Sequence, residues 1–193
     1  MGQRRWLQAW LALLLVLFLL SVGWRNLPEE QSQARYEEPL YEYTHDGGPA
    51  SITGGHVYRG SDVPSLVGRY VFGDFTLGSI WALDRTDNAS EVELLVDSLE
   101  DPGWEARLSA STFGVDDAGE LYVADWSGTI WRFTEASGSV VLVDAFPGLQ
   151  FEHPVGIVAT GDDRICVVEQ PGQIICLQSG NPTVLLNITG VVN

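Results

Sequence analysis

The chain has 193 residues, 45% of them hydrophobic, and a net charge of −16. That length supports one modest domain. Its 10 basic residues are all arginine and face 26 acids, so the surface repels phosphate backbones and nucleic acid is not expected as a partner.

The first element is apolar. Arg4 and Arg5 precede an uncharged stretch from Trp6 to Trp24. As a helix it reaches about 28 Å, just short of a hydrocarbon core of about 30 Å. Residues 1–25 are therefore expected to form a hydrophobic helix, acting as a signal anchor or as a cleaved signal peptide. The arginine pair orients the N-terminus inward. Ser21-Val22-Gly23 offers a small-x-small cleavage site, but no Ala-x-Ala is present. Either way the rest is expected outside the cytoplasm, membrane-anchored or secreted. Residues 26–43 carry Pro28, Pro39 and four glutamates between Glu29 and Glu38, and read as a polar linker.

Beyond a turn cluster at His45–Pro49 the chain becomes regular, with alternation suited to strands and no useful helical period. The first unit has expected strands at His56–Arg59, Arg69–Gly73, Ser79–Leu83 and Val92–Val96. The second has Ser111–Val115, Glu120–Ala124, Thr129–Phe133 and Ser139–Val143. The third has Val155–Ala159, Arg164–Val168, Gln173–Leu177 and Thr183–Leu186. In each unit the second strand ends in an acid (Asp74, Asp125, Glu169) and a short turn leads to a glycine (Gly78, Gly128, Gly172). These glycines lie 50 and 44 residues apart. Four strands repeated at roughly 40–50 residues are the signature of propeller blades.

The fold class is therefore all-β: three four-stranded β-propeller blades of an expected six-bladed ring, over residues 44–193. Blades bury their faces only against neighbouring blades. Three of them form an open arc with two apolar ends. The chain is thus expected to be a fragment, or to pair as a homodimer that closes the ring.

Several segments carry a resemblance. Thr44-His45-Asp46 with Ser51–Gly60, Gly68–Phe75 and Ser111–Asp116 resemble late blades of the glucose/sorbosone dehydrogenase family. Phe151–Gly156 and Val167–Ile174 resemble its first blade. The order suggests a circularly permuted ring. The resemblance implies pyrroloquinoline-quinone-dependent oxidation of a sugar hydroxyl, with calcium as a further cofactor. It also implies the alternative, a non-catalytic propeller that binds a protein or glycan, as in Hedgehog-interacting protein. The family's catalytic His, its Asp partner and the quinone-binding Gln and Arg-Asn match no segment here, so no catalytic, cofactor or metal residue is assigned. The late-blade basic residues would fall near Thr76 or Leu77 and near Leu108 and Ala110. None of these is basic, and Arg107 stands one residue out of register.

Single residues add little chemistry. His45, His56 and His153 lack metal-ligand spacing. Asp116-Asp117-Ala118-Gly119-Glu120 lacks the alternate oxygens of an EF-hand and reads as a hairpin turn. The repeated acids read as hairpin structure rather than a carboxylate ring. Cys166 and Cys176 flank Gln170-Pro171-Gly172. A three-residue loop sets them opposite each other within disulfide range, and a one-residue change sets them on opposite faces. Asn88-Ala89-Ser90 and Asn187-Ile188-Thr189 fit the glycosylation sequon, relevant only in a eukaryotic secretory pathway.

Overall fold

The computed structural model describes residues 38–45, 48–86, 89–99 and 107–190. The expected N-terminal helix, most of the linker and Asn88 lie outside them. Among the described residues no helix is long and apolar enough to cross a membrane.

Among the described residues twelve strands form three four-stranded antiparallel sheets. The first blade holds β1 (Ile52–Val57), β2 (Tyr70–Asp74), β3 (Ser79–Thr86) and β4 (Ala89–Asp97). The second holds β5 (Ala110–Val115), β6 (Leu121–Asp125), β7 (Ile130–Ala136) and β8 (Ser139–Asp144). The third holds β9 (Pro154–Ala159), β10 (Arg164–Glu169), β11 (Gln173–Gln178) and β12 (Asn181–Asn187). Within each sheet the strands pair in chain order, so each blade is a meander. A single 3₁₀ turn, Pro64–Leu66, interrupts the path from β1 to β2.

Eleven strands overlap the expected segments closely. The first begins four residues early, because Ile52-Thr53-Gly54-Gly55 belongs to the strand. Two physical facts require glycine there. A Cβ on Gly55 would run into the backbone of Val71, and the β1–β2 ladder carries a bulge between Thr53 and His56.

Two cores lie between the blades. Val71, Ile80 and Ala82 of the first blade pack against Leu121, Val123 and Phe133 of the second. Tyr122, Ala124 and Ile130 of the second pack against Ile157, Val167 and Leu177 of the third. Each β6 residue from Leu121 to Asp125 is buried, because the middle blade is covered on both faces. The polar stretch ahead of the first blade ends in Tyr41 and Tyr43, which lie against Phe72 and Trp81 at ring-centroid distances of 6.0 and 5.7 Å.

Candidate functional site

The three repeated acids stand at equivalent places and do one job. Asp74 is fully buried and accepts the amides of Thr76 and Leu77 in its own turn, each at 2.7 Å. It also accepts the Ser51 amide at 2.7 Å and the Tyr43 hydroxyl at 2.6 Å. Asp125 accepts the amides of Ser127 (3.0 Å) and Ser109 (3.3 Å). Glu169 accepts the Glu152 amide at 2.7 Å. Ser51, Ser109 and Glu152 stand just before the first strand of their blades. Each carboxylate therefore ties the start of strand one to the end of strand two. This is the asparagine/aspartate turn device extended across a sheet.

The glycines complete the same end. Gly78, Gly128 and Gly172 have φ of 70, 115 and 102°. Their carbonyls accept the amides of Ser98 (3.1 Å), Phe151 (2.9 Å) and Ile188 (2.9 Å), which tie down the chain leaving strand four. All these groups gather at one end of the blades, here termed the loop face.

On that face a row of rings crosses the blades. Phe75 and Trp126 follow Asp74 and Asp125, and each donates its amide to the residue preceding its first strand, Ser51 or Ser109, at 2.9 Å. Gln170 repeats the position in the third blade, its amide bonding the His153 carbonyl at 3.1 Å. Phe75 meets Trp126 edge-on at 6.1 Å. The exposed His153 ring stacks on Trp126 at 4.4 Å, from a backbone held at φ 48°. Exposed Ser127 and Glu152 and the Gln150 amide, bonded to the Ser127 carbonyl at 2.8 Å, supply hydrogen-bonding groups around the row.

The opposite end holds a cleft of about 250 Å³ between the second and third blades, lined by Asp116, Asp117, Tyr122, Phe146, Arg164 and Leu177 among others. Asp116, Asp117 and Arg164 are already engaged. Asp116 accepts the amides of Ala118 and Glu120 and the Tyr122 hydroxyl. Asp117 accepts the amides of Gly161 and Asp163 across the blade boundary. Arg164 pairs with Asp162 through both carboxylate oxygens. Burial, and then the Asp116 charge, push the Tyr122 hydroxyl well above its ordinary range. The turn reading of Asp116–Glu120 matches this geometry.

The other sequence candidates are dispersed. His56 is on β1, His45 precedes the first blade, and neither approaches His153 in a cluster; no group of three or more metal-ligating side chains occurs among the described residues. Cys166 and Cys176 are directly opposed on β10 and β11 and form a disulfide. Asn187 is exposed at the end of β12, its side chain accepting from Thr189. Glu120 was not singled out by its sequence position. It is 5% exposed and accepts from the Tyr58 hydroxyl at 2.5 Å and the amides of Ser61 and Asp62. Its partners come from a loop about 60 residues away, which no local pattern signals.

The fit to pyrroloquinoline quinone can be tested on the loop face. That group carries three carboxylates and calls for several cations. Leu108 and Ala110 are fully buried, the Thr76 and Leu77 amides are held by Asp74, and of the described arginines Arg107 alone lies at this end. Buried Asp74, Asp125 and Glu169 stand at the same end. The residues present do not fit the quinone.

Compared with known protein families, the chain matches none. Among solved structures, it is similar to virginiamycin B lyase from Staphylococcus aureus, a catalytically inactive variant solved with quinupristin. The identity is 24% and the TM-score 0.48, over 80% of this chain and 45% of the lyase. It is also similar to BBS1N in the complex with ARL6DN, at 15% identity and TM-score 0.38, over 70% of this chain and 38% of that one. The chain thus spans less than half the length of either. At these scores neither likeness bears on function, and the blade assignment rests on the chain's own three sheets.

Proposed function

We propose that these blades belong to an exported, membrane-tethered β-propeller of the glucose/sorbosone dehydrogenase type, and that their own task is to hold a carbohydrate on the loop face. The observation that carries this reading is the ring row Phe75–Trp126–His153, with hydrogen-bonding groups beside it. Sugar rings present C–H faces that stack on aromatic rings and hydroxyls that need directed polar partners. The Cys166–Cys176 disulfide suits an oxidising compartment.

The class activity implied by the sequence resemblance is quinone-dependent oxidation of a sugar hydroxyl. That reaction needs a general base and an electron acceptor. The base and its partner match no segment of this sequence, and the loop face does not suit the quinone. Recognition is therefore the function that these residues support.

The test is titration of the full chain with neutral aldoses and their oligosaccharides, followed by calorimetry. The expected result is saturable binding that weakens about tenfold or more in Trp126→Ala, the usual scale for an aromatic anchor. Absence of binding to any of the sugars would sink the proposal. Sugar-dependent reduction of a dye in the presence of the quinone and calcium would restore the dehydrogenase reading in its place.

A further inference from the structure

The blades repeat one interface, and the repeat identifies an unused half of it. Counting back from each acid, the first and third ladder pairs face the next blade. They are Gly73–Ile80 and Val71–Ala82 in the first blade, then Ala124–Ile130 and Tyr122–Arg132 in the second. In the third blade they are Val168–Ile174 and Cys166–Cys176. The first two sets contribute to the cores between blades. Among the described residues no blade lies on the third set. Beside it stand Val158, paired with Cys166 and 54% exposed, and Leu186, paired with Ile174 and 43% exposed. The four strands of this blade carry only two charged residues, Arg164 and the buried Glu169, in a chain of net charge −16.

The second and fourth pairs face the preceding blade. In the second blade Leu121, Val123 and Phe133 do so, and in the third Val167 and Leu177. In the first blade the equivalents are Phe72–Trp81 and Tyr70–Leu83. Among the described residues no blade covers them either. Tyr41 and Tyr43 lie there instead, with the Tyr43 hydroxyl bonded to Asp74.

We propose that the uncovered face of the third blade docks the first blade of a second copy of this chain, and that the Tyr41–Tyr43 strap competes for the same place. Among the described residues, the first blade bears the only other face without a blade on it, covered in part by the strap, and its positions are those that make the covering contact in blades two and three. The contact is heterologous, with unlike faces meeting. Two such contacts related by a twofold axis close a ring. Apolar, uncharged faces let two strongly acidic chains meet without stacking like charges.

The experiment is sedimentation of the full chain in mild detergent across a concentration series. Every sample keeps the apolar N-terminal run, so association through it is common to all. The wild-type chain is expected to form dimers reversibly. Val158→Glu, at a site exposed in the single chain, is expected to weaken the dimer about tenfold or more by burying an unpaired charge. Leu186→Glu repeats the test at a second position. Val184→Glu is the control: it is 55% exposed but pairs with Ile175, on the opposite face, and should leave association unchanged. Tyr41→Ser with Tyr43→Ser removes the competing rings and is expected to strengthen association. A single-chain mass at every concentration overturns the proposal. So does association indifferent to both face variants, or indifferent to loss of the strap.

Discussion

At the scale of single residues, buried carboxylates hold the ends of the blades. Burial alone would raise the Asp74 carboxyl, but bonds from the Tyr43 hydroxyl and the amides of Leu77, Thr76 and Ser51 outweigh it and hold it below the ordinary range. Glu120 behaves alike: burial opposes ionisation, and the Tyr58 hydroxyl with the Ser61 and Asp62 amides prevails. A carboxyl whose folded pKa lies below its unfolded value, about 4, stabilises the fold above that pH. The contribution is lost as pH falls through the folded pKa. Denaturant midpoints are therefore expected to fall steadily below about pH 5. Glu120→Gln should flatten part of that slope and cost about 2 kcal/mol at neutral pH, since bonds to a charged acceptor weaken. A pH series of unfolding curves for both proteins checks this; parallel slopes would show that Glu120 contributes nothing. Gly128→Ala is expected to destabilise by about 2 kcal/mol, since φ there is 115° and a Cβ would meet the Gln150 amide and the Phe151 carbonyl. A thermal melt measures it directly.

At the scale of elements, the β10–β11 hairpin carries the most definite prediction. Its register pairs Glu169 with Gln173 and so sets Cys166 opposite Cys176. A cross-link closing so short a loop contributes about 2–3 kcal/mol through the unfolded chain. Cys166→Ala with Cys176→Ala should lose that amount in denaturant unfolding, and reducing agent should lower the wild-type midpoint to match. Most strands were legible here because period-two alternation, acid and turn glycine recur in each unit. β1 was not, in its first half. Gly54 and Gly55 lie ahead of the expected first strand, yet β1 runs through them, and at Gly55 the Val71 backbone approaches too closely for any side chain. The clearance between two strands is not written in either one.

At the scale of the whole molecule, stability comes from two cores between blades rather than from any blade alone. Phe133 of the second blade is fully buried in the core that it shares with Val71, Ile80 and Ala82 of the first. Phe133→Ala is expected to cost about 3–5 kcal/mol. If unfolding then separates into two transitions, the first and second blades have uncoupled; a single shifted transition means that the arc unfolds as one unit. The acid-and-glycine repeat and the strand count could be read from the chain because they depend on neighbours within a few positions, while the cysteines could be read only as opposed or on opposite faces, and the hairpin register decided between the two. The carboxylate partners of Asp74 and Glu120, the stacking of His153 on Trp126 and the docking of Tyr41 and Tyr43 on the first blade could not. The long-range contacts among these join residues 23 to 62 positions apart. They arise only when four-stranded sheets stack face to face, and the geometry of that stacking belongs to the fold and not to any local stretch of sequence.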